Sequence, residues 1–177
     1  MSKAVMLSIR PKWVEKIANG EKTIEVRKTK PKLDTPFKCY IYCTLPKYPH
    51  EDFIATDYPM PQFYGGGKVI GEFTCDRIYE LAPLNHAPDD VEKQACLTRE
   101  KIVNYLKGTG YGWHISDLLI YDQPRELTAF RRACKNSWYC ESCAMYWENN
   151  GTCGNESLQI RRPPQSWCYV EAMKDGN

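Results

Sequence analysis

The chain has 177 residues, 42% of them hydrophobic and 26% charged, with a formal net charge of +2. That length suits one domain with a sizeable core, and the composition is ordinary for a soluble globular protein. No apolar run approaches the roughly 20 residues needed to span a bilayer, and Ser8 and Arg10 interrupt the N-terminal stretch before a signal-peptide core could form, so a cytoplasmic location and no membrane partner are expected.

In chain order, residues 4–9 read as a first strand, and residues 11–19 as a helix with Pro11 at its start. Gly20 stands where a left-handed residue closes a helix. From Lys22 to Arg27 polar and apolar residues alternate, placing Ile24 and Val26 on one face of a strand and Thr23, Glu25 and Arg27 on the other. Lys22 lies at the mouth of that strand, on the opposite face unless a bulge intervenes. On residue types alone this could be a surface strand with an exposed ion pair. Charge supports a second reading: residues 1–38 carry ten Lys or Arg against four Asp or Glu, an excess of six, whereas the remainder carries fourteen against eighteen. A basic face of this kind suits a polyanion, although Lys28-Thr29-Lys30-Pro31-Lys32 also reads as a solvated connector.

Residues 37–44 alternate as a strand with one apolar face, and residues 45–67, rich in Pro, Tyr and Gly, read as a long loop. Residues 68–81 form the longest strand candidate. Pro88-Asp89-Asp90 opens a helical stretch, and Thr98 caps a second helix whose apolar stripe is Ile102, Val103 and Leu106. Residues 113–121 follow as a strand, 124–130 as a turn or short helix, and 167–171 as a final strand. His114 shares a face with Ser116, where it is a candidate general base or a hydrogen-bonded structural residue.

Among the cysteines, Cys39, Cys43, Cys75 and Cys168 fall on strands and Cys96 on a helical stretch, where a thiol packs as a small hydrophobe. Cys134, Cys140, Cys143 and Cys153 differ, forming Cys-x5-Cys-x2-Cys-x9-Cys in a polar segment. That set suits a structural zinc site, with an iron–sulfur cluster or ordinary thiols as the other readings. Trp138, Tyr139, Tyr146 and Trp147 interleave the box, as cover for a metal or as stacking surfaces.

Leu7-Ser8-Ile9-Arg10-Pro11-Lys12, a short helix, and then Gly-x-Lys-Thr-x-Glu-x-Arg at residues 20–27 resemble the opening of the ASCH domain family, part of the PUA-like group. Gly112-Trp113-His114-Ile115-Ser116-Asp117 and Pro163-Pro164-Gln165-Ser166-Trp167-Cys168-Tyr169-Val170 resemble it too. The resemblance implies an α+β fold: a PUA-like mixed β-barrel with short helices in a single domain of residues 1–177, here with a cysteine-rich metal-knuckle insertion at 131–160. It also implies a cleft for RNA, a nucleotide or a modified base, lined by Lys22, Glu25 and Arg27 with Arg10, Trp113, His114, Gln165, Ser166 and Trp167. The alternative is a hydrolase acting on RNA or a modified nucleoside through Lys22 and Glu25. Small bacterial acetylcytidine amidohydrolases are similar in this signature, with their Lys at Lys22 and their Arg at Arg27, but their nucleophilic Thr falls at Glu25 here. A protein-interaction domain is the third reading.

Overall fold

The computed structural model describes residues 3–45, 66–81, 86–134, 142–150 and 153–173. The first strand, β1 (Lys3–Ile9), leads into helix α1 (Pro11–Ala18), which starts on Pro11 and ends through Gly20 at φ +74°. That backbone angle suits glycine, which has no Cβ to clash. Strand β2 (Ile24–Arg27) follows, then β3 (Phe37–Cys43), β4 (Val69–Cys75) and β5 (Ile78–Glu80). Helices α2 (Val91–Ala95) and α3 (Arg99–Leu106) come next, the second capped by the Thr98 hydroxyl, which accepts from the Lys101 amide. Strands β6 (Tyr111–His114) and β7 (Ser116–Arg125), the short helix α4 (Ala144–Glu148) and strand β8 (Trp167–Glu171) complete the order.

The strands form two sheets. One has five strands in the order β7-β4-β3-β1-β8, with β1 and β3 parallel and its other pairs antiparallel. The other has the order β2-β6-β5 and is antiparallel throughout. Each face of the large sheet is covered. Val5, Leu7, Ile9, Cys39 and Ile41 pack with Ile17 and Trp113 on one side, while Ala4, Met6, Tyr40 and Tyr42 pack with Phe130 and Ile160 on the other. Double burial explains why β1 reads as a nearly unbroken apolar run. It also corrects the expectation of one apolar face for residues 37–44, since Tyr40 and Tyr42 are buried beside Cys39 and Ile41. A third cluster packs Ile24, Val26 and Leu81 against Val91, Ile102 and Leu106 of α2 and α3.

The expected barrel is not closed: among the described residues, strand pairing gives two open sheets. Two stretches expected to be single strands bend instead. Residues 68–81 break at Asp76-Arg77 and pass from the large sheet to the small one, and the strand expected at 113–121 breaks at Ile115, with β6 (Tyr111–His114) in the small sheet and β7 (Ser116–Arg125) back in the large one. Such corners let two sheets share strands at an angle without forming a continuous ladder. The corner is tied by the His114 amide, which donates to the Arg77 carbonyl, and by the Ile115 amide, which donates to that of Thr23. Val103, expected in the buried stripe of α3, is exposed. Only Ile102 and Leu106, one helical turn apart, face the core. The loop expected at 45–67 lies almost wholly outside the described residues.

The cysteine-rich segment leaves and rejoins the body at one place. Arg131 bridges Gln159 antiparallel, Arg132 N donates to Leu158 O, and Ile160 N donates to Phe130 O. Cys134, Cys143 and Cys153 carry free thiols. Among the described residues no group of three or more His, Cys, Asp or Glu is placed to hold a metal ion, and Cys140 lies outside them.

Close approach of β4 to β7 sets one test of this packing. A Cβ on Gly71 would lie 2.4 Å from the Leu119 carbonyl oxygen, a backbone atom that cannot swing aside. Gly71→Ala is expected to destabilise the protein by about 1–3 kcal/mol through overpacking, read as a lower midpoint in urea with an unchanged slope.

Candidate functional site

Strand β2 and the turn before it carry three charged residues of the site into the interior. Lys22, Glu25 and Arg27 have 2%, 7% and 7% of their surface exposed, where ion pairs must be fully partnered to persist. The Glu25 carboxylate lies between two cations, Oε2 at 3.4 Å from Lys22 Nζ and Oε1 at 3.0 Å from Arg27 Nη2. Alternation accounts for Glu25 and Arg27 sharing a face. Lys22 joins them because it precedes the strand, so the period-two rule does not govern its direction.

Partners for these charges come from distant parts of the chain. Lys22 Nζ donates to the carbonyls of Ile24 and Ala95, each at 2.8 Å, and lies 5.3 Å from the centre of the Trp13 ring. Arg27 Nη2 donates to Ser8 O at 2.8 Å, and Nη1 to Ser166 O and Oγ at 3.3 and 3.2 Å. Ser8 Oγ in turn donates to Pro164 O at 2.6 Å. The guanidinium therefore joins β2, the end of β1 and the segment before β8.

Above this trio opens a cleft of about 480 Å³, within the usual range for small-ligand sites. The end of β1 and the start of α1 supply Ser8, Ile9, Arg10, Lys12 and Trp13, and the far wall supplies Leu97, Lys101 and Tyr105. Gln165 and Thr44 close it, with Lys22, Glu25, Val26 and Arg27 below. The described lining thus holds five cations and one carboxylate, a formal excess of four positive charges. Arg10, Lys12 and Lys101 are exposed at the rim.

Of the candidates read from the sequence, Arg10, Lys22, Glu25, Arg27 and Gln165 meet at this cleft. Ser166 stands behind it, holding Arg27. Trp113 is fully buried in the core, between Phe37 at 5.8 Å and Trp167 at 5.9 Å, centre to centre. Trp167 donates its ring N–H to Thr29 Oγ1 at 3.0 Å. His114 lies at the inter-sheet corner, its Nδ1 2.6 Å from Asp76 Oδ1. Trp13, Lys12, Lys101 and Tyr105 were not singled out from the sequence. A signal was there for the last two, which are spaced i, i+4 on α3 and so share a face.

The thiols nearest the core are poorly suited to nucleophilic work. Burial pushes Cys43 up to about 11, and pushes Cys75 up to about 12. Few thiolates form at neutral pH under such conditions.

Two expectations test this arrangement. Lys22→Met removes one cation from a buried carboxylate and strips two carbonyls of their donor; about 3–5 kcal/mol of stability should be lost, measured by denaturant titration. The second concerns Asp76. Partial burial raises its pKa, but the His114 hydrogen bond and charge outweigh this and leave it below the usual carboxylate value. A depressed folded-state pKa adds stability that is full above the unfolded value, about 3.9, and is lost as pH falls through the lower folded value. Asp76→Asn should flatten that part of the acid limb in a plot of melting temperature against pH.

No known family profile matches the chain, and no curated protein matches it. Solved structures do. The ASCH protein of Zymomonas mobilis superposes with a TM-score of 0.52 at 16% identity, over 95% of this chain and 87% of that one. A tyrosine-to-phenylalanine mutant of the same protein gives 0.53 at 16% identity, over 96% and 91%. A serine-to-alanine mutant gives 0.52 at 16% identity, over 95% and 88%. At such identity the likeness speaks of architecture: the chain has an ASCH-like fold.

Proposed function

We propose that the cleft above Lys22, Glu25 and Arg27 binds RNA or a nucleotide through its phosphates. The observation that carries this reading is the excess of four positive charges in one cleft of a chain whose net charge is only +2. A concave surface with low-dielectric walls concentrates such a field and attracts a polyanion. The ASCH-like fold agrees with the reading at the level of analogy, which by itself carries no function.

The roles differ between rim and floor. Arg10, Lys12 and Lys101, exposed, are free to reach phosphate oxygens. Lys22 and Arg27 already donate to carbonyls and to Glu25, so their part is to set the potential and shape of the floor. Trp13 supplies an apolar wall, with Lys12 Nζ 5.1 Å and Lys22 Nζ 5.3 Å from its ring centre. Hydrolysis through Lys22 and Glu25 draws less support, because both groups are engaged in holding the floor together.

The test is a binding titration of the full chain with a fluorescent single-stranded RNA over a range of salt concentrations. Affinity should fall with added salt through counterion release. Lys12→Glu and Lys101→Glu should each weaken binding by about 1.5–3 kcal/mol, the worth of a charge-assisted hydrogen bond, and reduce the salt slope by about 0.7 for each phosphate no longer neutralised. Salt-independent binding, or unchanged affinity in both variants, would remove this reading.

A further inference from the structure

Resting on the cleft reading above, we infer that a second phosphate subsite lies outside the cleft, at Lys28 and Lys30, so that the ligand is a single strand of several nucleotides and not a lone nucleotide. Composition alone permitted residues 28–32 to be a loose solvated connector, but the fold holds this segment in place at four points. Thr29 Oγ1 accepts from the Trp167 ring N–H at 3.0 Å. The Lys32 amide donates to the Tyr169 hydroxyl at 2.7 Å. Pro31 is buried, and Leu33 packs against the main core. The lysines therefore project from a fixed backbone, which lowers the entropy that a ligand contact must overcome.

Lys28 abuts the wall of the cleft, and Lys30 lies beyond the residues that line it. Tyr105 lines the cleft, and Lys28 Nζ lies 5.3 Å from the centre of its ring. One step further, Lys30 Nζ lies 4.9 Å from the centre of Tyr111, the residue that faces Arg27 across β2 and β6. Both lysines are exposed. An ammonium resting on an aromatic face keeps its outward hydrogens for an acceptor in solvent. Lys30 also meets Glu80 at 3.7 Å, with both groups in water, a pairing weak enough for a phosphate to displace. The row of cations thus leaves the cleft past Tyr105 and continues over the surface, as a groove following a sugar–phosphate backbone requires. Nothing in this row reads base identity; the chemistry it selects is the phosphodiester.

The experiment compares a mononucleotide with oligonucleotides of about four and eight residues, lengths within the span of known single-strand sites, on the full chain. The octamer should bind at least about tenfold tighter than the mononucleotide. The double variant Lys28→Glu/Lys30→Glu should abolish that gain, so that octamer and mononucleotide bind it with the same affinity. Glu80→Gln, which releases Lys30, should tighten the octamer alone, an effect that a merely structural role would not produce. DNA and RNA octamers should show the same length gain, since the subsite reads phosphate. A length gain that survives the double reversal, or one confined to RNA, overturns the subsite and leaves the cleft reading standing. Failure of mononucleotide and octamer alike to bind overturns both.

Discussion

The cleft depends on one buried carboxylate. Glu25 holds two cations together in the interior, and without it Lys22 and Arg27 would be like charges brought close with little water to screen them. Burying three ionised groups is costly, and a well-packed apolar trio of similar volume is often as stable. What the charges add is direction. Each donates or accepts along a line fixed by a carbonyl or a carboxylate, so the floor has one geometry, where an apolar floor would have many. Two cations and one anion also leave a residual positive charge beneath the cleft, in surroundings where a charge acts over a longer range than it does in water.

Rigidity of the floor and reach of the rim are complementary. Lys22 Nζ and the two terminal nitrogens of Arg27 have their donors committed, and only the buried Arg27 Nε goes without a partner among the described residues, whereas Arg10, Lys12 and Lys101 extend into solvent from the start of α1 and from α3. The two helical walls are anchored differently, α1 by Ile17 in the main core and α3 by Ile102 and Leu106 in the third cluster. The Lys22 to Ala95 hydrogen bond is the strut between the approach to β2 and the end of α2. Binding energy at such a site is not consumed in ordering the groups below the ligand.

Much of the fold was legible because it is encoded locally. Pro11 and Gly20 bracket α1, the Thr98 hydroxyl caps α3, and β8 spans residues 167–171 as expected. The corners were not legible. Neither Asp76-Arg77 nor Ile115 carries the Gly or Pro punctuation that marks a break, and what turns the chain there is long-range pairing: His114 with Asp76, and the Ile115 amide with Thr23. The site divided the same way. Glu25 and Arg27 were found by alternation, but burial of Lys22 depends on a carbonyl 73 positions away, and Trp113, expected to line the cleft, is instead enclosed between its own strand and the core of the large sheet. Polarity of a side chain predicts exposure only when no distant acceptor waits for it.

Ser8 and Ser166, which grip opposite ends of the Arg27 guanidinium, are 158 positions apart, and β8 lies against β1 at the margin of the large sheet. Contacts of this span form late, because the loop they close must first be brought together. During synthesis the N-terminal strand and its basic neighbours leave the ribosome long before residues 164–171 arrive to complete them. Until then Arg27 lacks its Ser166 partners and β1 has an unpaired edge, in the presence of abundant ribosomal RNA. The geometry of the floor is thus a property of the finished chain, and a nascent one meets polyanions with its charge but without its shape.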